Sequence, residues 1–416
     1  MNRNRKGPAR LAAGLALALT VSGCDQLLEV DAPSRVDAST LYVPSNAQLL
    51  VNSAITDLEC AFGTYAFVAG LMTDEVIDAA LAVIRWDYDA RRTAPAGQAG
   101  SAPCGTGLGV YTPLSTARWQ ADRIHESLQG WTDADVPNRG LLIATATAHA
   151  GYSYLLLGEA MCTAAIDVGP EIAKPALFQL AEQRFTQAIA AAQAASNNDI
   201  LNLARVGRAR TRLDLGKATE ASADAATVPA GYVRNATFSA AAPRRENPIF
   251  RENIRNNFAS VDVSYRNLTF GGVPDPRVRV VNAQLLGNDG ITPIWRQEKF
   301  TDRGTAIPIA SWEEAQLIVA EVAGGQQAVG IISTLHQRVG LPPFASTDPT
   351  AIRQQVIEER RRELFLESHH FYDIVRYGLP LVPSPGTPYP PKAGGFYGNA
   401  TCLPLPDVER RNNPSL

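Results

Sequence analysis

The chain has 416 residues, a formal net charge of −3, 45% hydrophobic residues, 19% charged residues and only 7% aromatics. Such a composition can bury a large core in one domain or two, and its mild, well-mixed acidity excludes a nucleic-acid partner gripped through its phosphates. Twenty-eight prolines and 32 glycines predict long ordered loops.

The first ten residues carry Arg3, Arg5, Lys6 and Arg10 and no acid; an apolar run from Leu11 to Val21 leads into Ser22, Gly23 and Cys24. That run is far shorter than the roughly 20 residues needed to cross a bilayer core, and its basic, apolar, small-residue order is that of an export signal. Val21-Ser22-Gly23-Cys24 has the form of a lipobox, in which the cysteine thiol is acylated before cleavage exposes its amine. Residues 1–23 therefore read as a lipoprotein signal peptide, and the mature chain is expected to start at Cys24, held to a lipid bilayer by acyl chains. Losing four positive charges and no negative one takes the formal net charge from −3 to −7. Residues 24–46, polar and punctuated by proline as in Asp31-Ala32-Pro33-Ser34, read as an extended linker.

Four cysteines remain, Cys60, Cys104, Cys162 and Cys402, an even number in an oxidising compartment, so disulfides are expected. Three pairings are possible. Cys60 with Cys104 would close a Gly- and Pro-rich excursion and is favoured, leaving Cys162 with Cys402. No CxxC spacing points to structural zinc.

From Ala47 onward the apolar residues Leu50, Ala54, Ile55 and Leu58 recur at helical spacing, and Trp119, Ile124 and Leu128 after Thr112-Pro113-Leu114 suggest a second helix with Trp119 in its core face. Leu141 to Cys162 is rich in Ala and Leu. Leu177 to Ala195 places Leu180, Phe185, Ala188, Ile189 and Ala192 on one stripe. Leu201 to Val228 reads as two helices joined at Leu215-Gly216-Lys217-Ala218, with the small residues Gly207, Ala209, Ala221 and Ala225 at close-packing positions. That pair resembles a tetratricopeptide unit, and Leu157-Gly158 looks like a similar elbow. The two glycines lie 58 residues apart, not a multiple of the usual 34, so any repeat is degenerate. Residues 229–307 are loop-rich, with short β-like runs at Val261 to Tyr265 and Val278 to Val280. Helical periodicity returns at Trp312 to Val322, Ala328 to Val339 and Ile352 to Tyr377; residues 379–416 are irregular. The expectation is a mainly α single domain over 47–416, with a scaffold of stacked helix pairs at about 47–228 and 308–378.

Within Ile352 to Tyr377, read as one helix, Val356, Arg360, Glu363, Leu364, Glu367 and Phe371 share a face. Charges in an apolar stripe are costly unless paired, so Arg360 is expected to contact Glu363 or Glu367, with Asp373 and Arg376 completing a structural network. Glu363 and Glu367 as a catalytic acid and base are disfavoured: four apart on one helix they point the same way, with no second wall around a substrate. His125, His149, His336, His369 and His370 form no spaced ligand set, and the adjacent pair faces opposite sides of a helix. Gly105-Thr106-Gly107-Leu108-Gly109 does not fit a phosphate loop, and no GxSxG is present. No catalytic residue, metal or cofactor is assigned.

Glu359-Arg360-Arg361-Arg362-Glu363-Leu364-Phe365-Leu366-Glu367, followed by His369, Asp373 and Arg376-Tyr377-Gly378, resembles the C-terminal signature of the SusD/RagB family of outer-membrane nutrient-binding lipoproteins. Other segments resemble the family's motifs in its order: the start Cys24-Asp25-Gln26-Leu27-Leu28, the acidic Leu71-Met72-Thr73-Asp74-Glu75, Ala117-Arg118-Trp119 on the helix near the binding face, Asp275-Pro276-Arg277-Val278, Trp312-Glu313-Glu314-Ala315 through Ala320-Glu321, and Leu403-Pro404-Leu405-Pro406 with Glu409 and Asn413-Pro414. Ser368 stands where the family usually has glycine and His370 where it often has arginine, and the chain is short for the family, which suggests trimmed loops.

The resemblance implies a SusD-like fold with tetratricopeptide-like helix pairs, a loop-rich ligand-facing region with little β, and a lipid-anchored, surface-exposed place on the cell outer membrane. It also implies a role: binding an oligomeric nutrient, oligosaccharide or peptide, and delivering it as a lid to a TonB-dependent, SusC-like transporter. Capture requires loop aromatics beside polar groups, and Arg85, Trp86 and Tyr88, flanked by Asp87 and Asp89, and Trp295 with Arg296 are the candidates. The alternatives are a surface hydrolase using the carboxylates of the last helix, or a structural protein that binds an envelope partner through its helices.

Overall fold

The computed structural model describes residues 38–97, 100, 102–105, 107–390 and 394–416. The predicted signal segment, the acylated Cys24 and linker residues 24–37 lie outside the described residues. The chain divides into two units, one ending at Val43 and the other running from Pro44 to Leu416. Of the first, one helical turn is described, α1 (Ala38–Leu41).

The second unit is built on alanine-rich helices free of interior proline. α2 (Ala47–Leu71) is buried all round from Leu58 to Leu71. α5 (Arg139–Ala160) is long and apolar enough to cross a membrane, yet 89% of its apolar stretch is covered by protein; it is the central core helix. α4 (Tyr111–Gly130) and α6 (Lys174–Ala194) pack against it, and α7 (Asn198–Asp214) and α8 (Ala218–Ala225) continue the stack. Asn197 caps α7 by accepting from the Ile200 amide at 2.9 Å, as a short polar side chain does for an orphan helix donor. Small residues have a clear purpose here. A Cβ on Gly207 would lie 2.4 Å from the Phe185 ring, and one on Gly151 2.8 Å from it; the ring fills the space between α5 and α7 only because both are glycine.

Ten short strands form five separate two-stranded antiparallel ribbons among the described residues. β1 (Val76–Asp78) pairs with β5 (Ala259–Val261), β2 (Thr163–Ala165) with β3 (Glu171–Ala173), β4 (Val233–Ala236) with β10 (Ile307–Ser311), β6 (Thr269–Phe270) with β7 (Val273–Pro274), and β8 (Val280–Leu286) with β9 (Pro293–Gln297). A short α3 (Val83–Asp89) follows β1, and a π-helical turn covers Phe250–Arg255. The fold is mainly α with little β, as the sequence suggests.

α9 (Trp312–Ala323), α10 (Gly325–Arg338) and α11 (Pro349–Glu363) follow, with caps from Ser311 to the Glu314 amide and from Asp348 to the Thr350 amide. The single helix expected over Ile352 to Tyr377 is two. α11 stops at Glu363 and α12 (His370–Tyr377) starts after a turn in which Leu366 and Ser368 have φ of 58° and 75°. These left-handed conformations cost a residue with a Cβ about 1–2 kcal/mol each, and Glu75 helps to hold the first by accepting the Leu366 amide at 2.7 Å. Glu367 and Phe371 therefore do not continue the stripe of Val356 and Arg360. Trp119 is also not in the core: it is 47% exposed, because at 100° per residue it stands about 140° round α4 from Ile124.

Cys60 is bonded to Cys104 with Cα atoms 6.0 Å apart, and Cys162 to Cys402 at 5.0 Å. The second bond ties the end of α5 to the tail, where Leu403 also accepts the Cys162 amide at 2.8 Å. The tail ends in α13 (Asp407–Asn412).

Candidate functional site

Segments far apart in the chain meet around the α11–α12 turn, and what they build is an ion network. Asp74 accepts from His370 Nε2 at 2.7 Å. Burial opposes the Asp74 carboxylate, yet the hydrogen bond and charge of His370 prevail and hold it down at about 2, while the same bond raises His370. Arg277 donates to Glu359 at 2.6 Å and Glu363 at 3.1 Å, and Lys299 meets Glu367 at 2.7 Å. Arg360 binds Asp373 through two bonds of 2.8 and 3.0 Å. It does not pair with Glu363 or Glu367, because the turn carries Glu367 away and brings Asp373 in. Arg376 joins Asp373 at 2.9 Å to Glu321 at 2.8 Å. Arg210 grips Glu159 through two bonds of 2.6 Å. Burial pushes Glu75 up to about 7 and Glu314 up to about 8 against the pull of neighbouring cations, and drives His369 well below its ordinary value. Buried and mostly paired, these groups fix geometry, while Glu75 Oε2, Arg360 Nη1 and His369 Nδ1 are buried without a hydrogen-bond partner.

The predicted ligand residues gather elsewhere, where α3, β5, the π-turn and β9 meet. Arg85 donates to Asp78 at 2.9 Å and to Glu252 at 2.6 Å, and its guanidinium lies 5.6 and 5.2 Å from the Phe67 and Phe258 ring centres. It is 8% exposed. Tyr88 is buried and donates to the Leu108 carbonyl at 2.5 Å. Trp86, half-buried on α3 instead of on a loop, donates Nε1–H to the Ala80 carbonyl at 2.8 Å. The Trp295 ring carries the Arg266 guanidinium at 4.8 Å, and Arg296 donates to Asn257 at 2.9 Å. Each of the five already has an internal partner, so each supports the local surface more than it presents a free group.

Arg85 and Tyr88 line a cleft of about 430 Å³ together with Leu108, Arg251, Arg255 and Asn256, large enough for a small ligand. Trp86, Trp295 and Arg296 do not line it. Arg251 donates to Glu252 at 2.6 Å and to the Gly105 carbonyl at 3.3 Å, and Arg255, 36% exposed at its side chain, pairs with Glu246 at 2.8 Å. The cleft thus offers guanidinium and amide donors and can hydrogen-bond a hydroxyl-rich ligand. Sequence reading missed Arg251, Arg255 and Asn256. Their signal was the run Arg251-Glu252-Asn253-Ile254-Arg255-Asn256-Asn257, whose polar density fits no ordinary helix period; it forms a π-turn, a feature often found at functional sites. Among the described residues no group of three or more His, Cys, Asp or Glu is placed to hold a metal.

Residues 314–412 match the SusD family model. A laminarin-binding SusD-like protein of known structure superposes over 89% of this chain and 99% of its own, at 16% identity and a TM-score of 0.62. The chain has the SusD fold. A SusD superfamily protein from Bacteroides vulgatus ATCC 8482 covers the same shares at 16% identity with a TM-score of 0.69. A SusD-like carbohydrate-binding protein from the same organism covers 90% of this chain and 97% of its own, at 15% identity and a TM-score of 0.63. No curated protein matches the sequence. Within the SusD fold of this chain, four of the segments that resemble family motifs, Asp74-Glu75, Asp275 to Arg277, Glu314 to Glu321 and Glu359 to Arg376, belong to the ion network. Their resemblance reports the scaffold and not the ligand.

Proposed function

We propose that the protein is a lipid-anchored binding protein of the cell outer membrane, exposed at the surface, which captures an oligosaccharide and delivers it to a TonB-dependent transporter. It makes and breaks no bond. The tether at Cys24 lets a lid swing against the transporter without diffusing away, and capture rests on hydrogen-bond donors and aromatic faces. The observation that carries this reading is the SusD fold along nearly the whole chain, shared with solved proteins described as binding laminarin and carbohydrate. Burial of Glu367 and the engagement of Glu363 and Glu367 by Arg277 and Lys299 favour binding over hydrolysis.

Two measurements test it. Purified protein incubated with oligosaccharides should deplete them intact; shortened products would sink the binding reading. The lipoprotein drawn from detergent-solubilised membranes should bring a β-barrel transporter with it, and recovery without one would refute delivery.

A further inference from the structure

The exposed aromatic ring that the sequence placed in the core lies in a groove of its own. On α4 the buried stripe runs through Leu114, Ala117, Ala121, Ile124 and Leu128, which turns Thr116 and Trp119 outward. Trp119 faces the β2–β3 turn and α13 across a cavity of about 390 Å³. Val168, 66% exposed, extends the apolar floor. Asp167 and Glu409 stand at the rim, the former with 57% of its side chain exposed. The groove continues past Thr112 and Thr116, which also line a neighbouring cavity of about 200 Å³.

From this geometry we infer that the Trp119 groove is a stacking subsite for a neutral, hydroxyl-rich oligosaccharide. A flat indole with one face in water is a platform for the apolar face of a pyranose ring, and an exposed tryptophan beside an exposed valine is a patch that a ligand can cover. Asp167, Glu409 and the Thr116 hydroxyl accept from sugar hydroxyls. The charge selects against an acidic glycan: Arg118 is 4% exposed and already pairs with Asp167 at 2.9 Å and Asp122 at 3.5 Å, Arg244 in the adjoining cavity pairs with Asp57, and Glu409 adds a carboxylate at the rim. Two joined cavities make the groove longer than one sugar ring. The inference rests on the oligosaccharide-capture reading but assigns that capture to a surface distinct from the arginine-lined cleft.

The test uses purified full-length protein and calorimetric titration with maltoheptaose, cellohexaose, laminarihexaose and a hexameric oligogalacturonate. At least one neutral oligomer should bind, and the oligogalacturonate should bind at least about tenfold more weakly. Trp119→Ala should weaken the neutral oligomer about tenfold, equivalent to about 1.4 kcal/mol, while Trp119→Phe keeps most of the affinity. Trp119 is exposed, so thermal melting of both variants should match the parent. Unchanged affinity in Trp119→Ala while the parent binds overturns the subsite and leaves the capture reading standing. Equal binding of oligogalacturonate overturns the charge argument. Loss of transporter co-purification in Trp119→Ala with sugar affinity intact would make the groove a docking face and overturn the inference. A parent that binds no neutral oligomer overturns both readings together.

Discussion

Glu314→Gln should make the protein more resistant to alkali. The Glu314 carboxyl is 2% exposed, and burial raises it to about 8 despite Arg210 and Arg360. Its unfolded value is near 4.5. A carboxyl with a raised folded value contributes fully below the unfolded value, and that contribution is lost as pH rises through the folded one. Between about pH 5.5 and pH 8.5 the two values predict a loss on the order of 3 kcal/mol from this group alone. Unfolding entropy of about 2 cal/mol/K per residue, over the second unit, converts that loss to a fall in Tm of about 4 °C. Glutamine has the same shape and stays neutral, so the margin by which the variant out-melts the parent should be about 4 °C wider near pH 8.5 than near pH 5.5. Scanning calorimetry at a series of pH values measures both. A variant whose Tm tracks the parent at every pH would show that Glu314 ionises freely in the folded state and refute the reasoning.

Asp74→Asn should cost about 3 kcal/mol near pH 6 by leaving His370 buried without its counter-charge. Because the folded value of His370 is raised, that deficit should shrink above pH 7 as the histidine of the parent loses its proton, a trend readable by urea unfolding. Gly207→Ala drives a methyl into the Phe185 ring and should destabilise by about 1–3 kcal/mol, whereas Gly330→Ala, in α10 with nothing within 4 Å of the new atom, should stabilise by up to about 1 kcal/mol; equal melting of the two variants would contradict the packing. Replacing Cys162 and Cys402 by serine opens a loop with a sequence separation of 240, against 44 for Cys60 and Cys104. Chain entropy predicts losses of about 5 and 4 kcal/mol, so denaturant midpoints should fall further for the first pair. Cys24→Ala should release the protein from membranes, as fractionation would show.

What was legible in the sequence follows from how local its cause is. α2, α5, α6 and the α7–α8 pair are readable because their alanine and leucine periodicity acts within a few residues. The break between α11 and α12 was not, because helical periodicity runs straight through it and neither glycine nor proline marks it. A contact that holds the turn comes from almost 300 residues away, where a Glu75 carboxyl oxygen accepts the Leu366 amide. Ser368 alone hinted at it, standing where the resembled family has glycine, and its φ of 75° is the conformation in which glycine costs nothing. The same distance explains the ion network: a charge at Arg360 demands a partner, but residue spacing proposes only partners on the same helix, while the fold supplies Asp373 across a turn. It explains Arg85 too, since nothing in Arg85-Trp86-Asp87 announces that Glu252 waits 167 positions on. Trp119 failed for the opposite reason, being a local error of phase. A residue five steps from Ile124 shares no helix face with it, and counted at 3.6 residues per turn it falls in water. Arg85 lines the cleft while held by Asp78 and Glu252, whereas Trp119 stands exposed. The residues freest to meet a sugar are Arg255 and Asn256 in the cleft and Trp119 in the groove, and comparing Trp119→Ala with Arg255→Ala against one neutral oligomer decides which surface captures it.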